Sequence, residues 1–381
     1  MQAKKEQPTP EMTFRERFLN TYHYQPVDRI PDTEFGYWAE NYAVWQKQGM
    51  PDWVTDEAAA YRYFNVDQAD PWGLPYDRGM VPAFEEEVLE ETDEHRIERR
   101  GNGIVAEVPL DGHSTIPRFI EFPVKNRDDF ERIKERYDPA DPRRYPREDE
   151  LPEIRERYAQ RTGLSVCSCG GFYGWARDWM GVVNTSMIFH DDPDLVHEMF
   201  EWMADFVIEI VSRTVEMLAI PDLRIDLGTW WEDMCFRGGP LISPAMFREF
   251  ELPNYQKVTS FLRKEFGCDL NWVDCDGNVN QLAGLFLEGG VNIMFPVEIA
   301  AGTAPHALRR EYGRDVLFLG AVNKRELSKD RGAIDAELER LRPLLEDGGL
   351  IPHVDHRCPP DVPLDNYKYY REQKQKLIGK L

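Results

Sequence analysis

DLNWVDCDGNVNQLAGLFLEGGVNIMFPVEIAAG, residues 269–302, contains two strand-like runs that each stop at carboxylates. Residues 269–273 form an apolar run of the length and composition of a buried parallel strand. It stops at Asp274-Cys275-Asp276-Gly277-Asn278. Residues 279–288 predict a short helix, which Gly289-Gly290 closes. The run Val291–Val297 is the next strand, and it stops at Glu298. Ionisable groups at the C-terminal ends of successive parallel strands mark the mouth of a barrel.

Working outward, the same alternation recurs. Strands are predicted at 33–37, 164–167, 223–227, 316–319 and 350–354, with helices at 193–218, 331–345 and 364–378. With the two strands of the opening stretch this makes seven, and an eighth is not located. A polar cluster follows nearly every strand, which favours a (β/α)8 TIM barrel over a doubly wound sheet with one switch point. Ahead of it, Thr13 and Glu16 form a capping box that opens a helix to Tyr24. The chain divides into a polar tail and helix, 1–25, and one barrel domain, 26–381. Within that domain Gly101-Asn102-Gly103 between strand-like runs predicts a small antiparallel insertion at about 84–122.

The net charge of −23 repels phosphate backbones and anionic membranes, so nucleic acid and membrane partners are not expected. No run approaches the roughly 18 apolar residues of a membrane span. The polar start carries no secretory signal, and six scattered cysteines, at 167, 169, 235, 268, 275 and 358, predict a reduced, cytoplasmic protein. No G-x-G-x-x-G or P-loop pattern supports nucleotide binding.

Asp274, Asp276 and Glu298, at adjacent strand ends, read as metal ligands or as general acid and base; the competing reading of Asp276-Gly277-Asn278 is a turn and helix cap. His356 is a ligand, a proton shuttle or a loop histidine, and Asp355 beside it is placed to orient it. Lys324 balances the acids, binds an anionic group or is simply solvated. Trp230 and Trp231 suggest an apolar wall for a ring-bearing ligand, with Asp233, Arg177 and Asn278 as further substrate contacts; Arg177 and Arg237 read as anion anchors or as surface salt bridges. His353 reads as a core residue. Cys167 and Cys169 have the spacing of a C-x-C metal pair, but Cys167 reads as core packing, and Cys169-Gly170-Gly171 as core or as lining of the mouth.

The segments Pro26-Val-Asp-Arg-Ile-Pro31, Gly239-Pro-Leu-Ile-Ser-Pro244, Asp276-Gly-Asn278 with Gly289-Gly290, Tyr312-Gly313, and His356-Arg-Cys-Pro-Pro-Asp-Val-Pro363 with Asn366 resemble the uroporphyrinogen decarboxylase superfamily. The last is similar to its G-H-G-I-x-P-x-x-P-x-E-N stretch. The resemblance implies a (β/α)8 barrel with the active site at the C-terminal mouth. One branch decarboxylates uroporphyrinogen and grips its carboxylates with an R-Q-A-G-R-Y segment; here that region reads Thr33-Glu34-Phe35-Gly36-Tyr37-Trp38, without arginine. A second branch transfers methyl groups with corrinoid proteins, using zinc held by H-x-C and a distant cysteine. Those positions fall on Asp274-Cys275-Asp276 and near His356. The chain most resembles a third branch, related to these methyltransferases, in which Asp274, Asp276, Glu298, Lys324 and His356 would sit together.

The resemblance implies a methyltransferase acting on a small methylated substrate. Zinc or another divalent ion would be held by Asp274, Asp276, Glu298 and His356. A corrinoid would arrive on a separate protein, because no D-x-H-x-x-G signature occurs. Asp276, Glu298, Lys324 and His356 would be catalytic. The alternatives are a decarboxylase of carboxylated substrates and a non-catalytic small-molecule barrel. A homodimer follows by analogy alone.

Overall fold

Seven short strands lie side by side in sequence order: Trp72–Gly73, Ser165–Gly170, Leu227–Trp231, Asn271–Asp274, Ile293–Phe295, Leu317–Val322 and Leu350–Val354. Every adjacent pair is parallel. The computed structural model describes residues 11–110 and 116–381. Helices join consecutive strands, giving a TIM-barrel-type α/β fold. The strand missing from the sequence reading is Trp72–Gly73. Two residues are too few to show a periodicity, so it left no pattern to find.

The segment read as a strand at 33–37 makes only an isolated parallel bridge, Tyr37 to Cys358. It fills the gap between the last and first strands. Trp38 N–H donates to the Cys358 carbonyl at 3.2 Å, Cys358 N–H to the Gly36 carbonyl at 2.9 Å, and Asp67 N–H to the Asp32 carbonyl at 2.9 Å. Side chains replace the missing ladder. Arg371, on the final helix Leu364–Leu377, donates to Asp32 Oδ1 at 2.8 Å, Asp32 Oδ2 at 2.6 Å and Glu34 Oε1 at 2.6 Å. Lys374, one turn on, reaches Glu34 Oε1 at 2.7 Å and the Thr33 carbonyl at 2.6 Å. Asp32, Glu34, Arg371 and Lys374 are all buried. Buried charges are tolerated when each is paired and hydrogen-bonded, and here the two anions face Arg371, Lys374 and, at 3.0 Å from Asp32, Lys380.

The barrel interior is apolar, with Leu164, Leu227, Leu270, Ile293, Phe295, Leu317, Leu319 and Ile351 in one cluster. Phe18 and Tyr22 of the helix Phe14–Tyr22 join it, and the Tyr22 hydroxyl donates to the Phe318 carbonyl at 3.1 Å. Arg15 of that helix forms a paired bond with Asp226, just before the strand Leu227–Trp231, at 2.8 and 2.7 Å. The N-terminal helix therefore plugs the end where strands begin, and the opposite end remains for a site. Its capping box, Thr13 with Glu16, is present as expected.

The predicted insertion is a four-stranded antiparallel sheet, Glu87–Glu91, His95–Arg99, Val105–Pro109 and Arg118–Glu121. Its Gly101–Gly103 turn is where the sequence puts it, with Arg100 N–H donating to the Ile104 carbonyl at 2.9 Å. Residues 111–115 of the insertion and the polar tail 1–10 lie outside the described residues. No helix among the described residues is long and apolar enough to cross a membrane.

Candidate functional site

The strand predicted at 223–227 runs four residues later, over Leu227–Trp231. This decides where the tryptophans go. Side chains alternate along a strand, so with Leu227 facing the barrel interior Trp231 also faces inward and Trp230 faces out. Trp230 is buried under the helices against Phe172 and Tyr255, with ring centroids 5.7 and 4.7 Å away. It is a core residue, a correction to its placement in the substrate wall. Trp231 remains partly exposed at the mouth, with the Arg177 guanidinium 4.4 Å from its ring.

Asp274 ends its strand on the same face as Trp272, two residues before it. Glu232 and Asp233 N–H both donate to the Asp274 carbonyl, at 3.0 and 3.4 Å, which drapes the neighbouring loop over the strand end. Gly277 turns the chain immediately after, at φ +88°, where a side-chain Cβ would lie 2.6 Å from the Cys235 carbonyl carbon. Only glycine fits that turn. Burial raises the Asp274 carboxyl to about 7, reinforced by the charges of Asp276 and Asp233 and opposed by His356.

Asp276 Oδ2 lies 3.3 Å from His356 Nε2, and its Oδ1 is shielded from solvent without a hydrogen-bond partner. The His356 ring sits between two aromatic neighbours, Phe35 at 5.3 Å edge-on and Trp38 at 6.3 Å in a stack. Phe35 in turn meets Phe295 at 4.7 Å, and Phe295 stacks on Trp272 at 5.6 Å. A continuous chain of rings, Trp272, Phe295, Phe35, His356 and Trp38, thus borders the two aspartates. Phe35, Trp38 and Trp272 were missed in the sequence. The signal was present in Thr33–Trp38, which drew notice for lacking arginine rather than for its three aromatics.

Glu298 and Lys324 form a separate pair at 3.2 Å, and Glu298 Oε2 accepts the Gly277 N–H at 3.0 Å. Asp355 does not touch the imidazole. Its oxygens accept Lys324 N–H at 3.0 Å and Ile299 N–H at 2.9 Å, so it staples two strand-end loops, and burial raises its pKa. Arg177 is held by Asp233, with 2.6 Å to its carboxylate. Asn278 Oδ1 accepts the Asn280 N–H at 3.2 Å, a turn-capping bond. His353 is buried, as read, and burial lowers its pKa to about 4, so it is neutral in the core. Glu232 is a buried anchor. It accepts Phe172 and Gly174 N–H at 2.8 and 2.9 Å and the Tyr255 hydroxyl, and burial raises it to about 7.

The structure therefore brings Asp276 to His356, leaves Asp274 near enough to feel both charges, and sets Glu298 with Lys324. As a zinc site the set does not fit. Among the described residues no three His, Cys, Asp or Glu are gathered to hold a metal ion. The fourth predicted ligand, Glu298, already faces the Lys324 ammonium. The soft H-x-C donors of the zinc branch are both aspartate here. Purified, tag-free protein incubated with zinc and then exchanged into buffer is expected to retain far less than one equivalent by elemental analysis. One equivalent retained, and lost in His356→Ala, would contradict this.

Comparison with known proteins agrees with the fold. A solved structure described as a methyltransferase from Methanosarcina mazei shares the fold with a TM-score of 0.59 at 19% identity, over 96% of this chain and 99% of that one. A B12-independent methionine synthase from Shewanella sp. W3-18-1, solved with selenomethionine, is more distant, with a TM-score of 0.32 at 10% identity over 62% of this chain and 70% of that one. No curated protein matches. The family model described as uroporphyrinogen decarboxylase (URO-D) matches residues 106–376, which span six of the seven parallel strands. On that match the chain belongs to the uroporphyrinogen decarboxylase (URO-D) family.

Proposed function

We propose that the barrel mouth transfers a methyl group from a small methylated substrate to an acceptor carried by a separate corrinoid protein. The observation that supports this reading above decarboxylation is the charge balance of the mouth. Arg177 and Lys324 are each neutralised by a carboxylate, at 2.6 and 3.2 Å. Asp274 and Asp276 are left facing the ring-lined space. A substrate bearing several carboxylates needs cations to offset its desolvation, and among the described residues of the strand-end loops only Arg78, which donates to the Ser168 hydroxyl at 2.9 Å, and the exposed Arg237 have no carboxylate partner. The fold shared with the Methanosarcina mazei methyltransferase points the same way.

A methyl group leaves a heteroatom readily only when that atom carries positive charge, because it must take up the electron pair of the breaking bond. Carboxyl groups serve this in two ways. A protonated one donates to the leaving atom, and an ionised one faces a charge already present. The rings hold the apolar body of the substrate and exclude water. His356, its Nε2 3.3 Å from Asp276 Oδ2, lies beside that carboxylate and carries the Phe35 and Trp38 contacts. A corrinoid, when bound by its own protein, supplies the nucleophile.

The test is methyl transfer to free, chemically reduced cobalamin from a panel of methylated amines and ethers. The wild-type chain is expected to consume the reduced cobalamin, and His356→Ala to do so about 100-fold more slowly. Carbon dioxide release from carboxylated compounds, with no methyl transfer from any donor, would overturn the reading in favour of a decarboxylase.

A further inference from the structure

We propose that the methylated substrate is a cation, a quaternary or protonated tertiary methylammonium compound. This rests on the methyl-transfer reading and narrows it to one substrate class. Three features of the mouth carry it. The first is the ring chain: Trp272 and Phe295 stack at 5.6 Å and 27°, Phe35 meets Phe295 at 4.7 Å, and Trp38 closes the far side through His356. Phe35, Trp38 and Trp272 are partly exposed, so ring surface faces the open mouth. Aromatic faces attract alkylammonium groups through their quadrupole while tolerating the bulk of the methyls.

The second is the sign of the uncompensated charge. Three cations near the mouth are held by carboxylates, Arg177 by Asp233, Lys324 by Glu298, and Arg357 by Glu57 at 3.0 Å, while Arg78 donates to the Ser168 hydroxyl at 2.9 Å and Arg237 lies exposed on the hairpin beside the 276–278 turn. The third is Asp276 Oδ1, a shielded carboxylate oxygen with no partner in the protein. A buried acceptor left open beside aromatic rings is completed by a positively charged group of the ligand.

The D-x-D replacement of H-x-C acquires a reason. A neutral methyl donor needs an acid to take up the bond pair, which a metal ion provides as a Lewis acid. An ammonium donor needs none. Its C–N bond breaks with the electron pair staying on nitrogen, which becomes a neutral amine. The methyl carbon forms its new bond with a pair supplied by the corrinoid-class acceptor. No proton, oxidant or reductant enters the step. The aspartates then act as a binding counter-charge.

The test compares ligands that differ in charge alone. Calorimetric titration of the full chain with choline and with 3,3-dimethylbutan-1-ol, its uncharged carbon isostere, is expected to show at least tenfold tighter binding of choline. In Asp274→Asn the preference should shrink toward parity, and in Trp38→Leu both ligands should weaken. Equal affinities, preference for the isostere, or no binding of either by folded protein would overturn the inference. Its failure is separable from that of the methyl-transfer reading. Charge-selective binding without methyl transfer would sink only the latter. Methyl transfer from a neutral ether, with no preference for choline, would sink only the substrate class.

Discussion

Asp274→Asn is expected to raise KM for an ammonium methyl donor about 100-fold and to leave kcat within a few-fold. The reasoning follows from what the carboxylate does. An ammonium carries its charge before the reaction and loses it during transfer, so the counter-charge binds the ground state more than the transition state. Removing such an interaction appears in KM. Loss of one desolvated partner of a charge pair costs about 2–5 kcal/mol, and the 100-fold effect corresponds to about 3. A general acid would behave differently, with kcat falling about 10²–10⁴-fold and KM little changed. Steady-state kinetics of the pair of proteins separates the two roles.

The same variant has a signature in stability. The Asp274 carboxyl sits at about 7 in the folded chain because of burial and its acidic neighbours. An aspartate in the unfolded chain titrates near 3.9. Between these values the folded state holds the extra proton, so wild-type stability falls as pH rises from about 4 to about 7. The asparagine variant lacks this fall. It is expected to match the wild type near pH 4 and to exceed it above pH 7, by at most about 4 kcal/mol, in urea unfolding at both pH values. Equal pH slopes would show that the carboxyl is not perturbed.

Arg371→Met is expected to destabilise the chain by about 3–5 kcal/mol, the cost of removing one partner from a buried, shared charge cluster. Arg371 and Lys374 are 4% and 0% exposed and share Asp32 and Glu34, both 0% exposed, so the change leaves two buried carboxylates sharing Lys374, with Lys380 reaching Asp32 at 3.0 Å, and no water to replace the lost guanidinium bonds. The effect reaches the mouth, because Asp32 and Glu34 flank the stretch that presents Phe35 and Trp38 to His356. Methyl-donor binding should weaken along with stability. The pH dependence has the opposite sign to that of Asp274. The paired cations hold Asp32 and Glu34 below the usual carboxylate range. Their contribution is therefore complete above about pH 5 and is lost as pH falls. A urea midpoint shift equivalent to less than about 1 kcal/mol would contradict this picture of the closure.

The parts of this design that were legible in the sequence are those with a period or a terminal signal. The helix Pro193–Leu218 is found residue for residue, between an Asp192 cap and a left-handed Ala219. The carboxylates at 274, 276 and 298 follow their strands because short apolar runs end where polarity begins. Trp72–Gly73 is too short for a pattern. The strand at 227–231 was displaced because Leu223 and Ile225 are apolar and buried without belonging to the ladder. That four-residue slip made Trp230 look like a wall of the mouth. The clamp on residues 32–34 was invisible because its partners lie 337 to 348 positions apart, and no local signal ties the end of the chain to a segment near its start. Glu298 looked like a ligand because strand ends were the only coordinate available; its pairing with Lys324 depends on how two loops meet.

The most direct test of the central claim follows one methyl group. Choline carrying ¹³C on its N-methyls is incubated with the full chain and reduced cobalamin, and the label is traced by NMR. The expected result is label on the acceptor with an equal amount of the dimethylamino product, abolished by omitting the protein and greatly slowed in His356→Ala. Label that stays on choline, while the same protein releases carbon dioxide from a carboxylated compound, would contradict it.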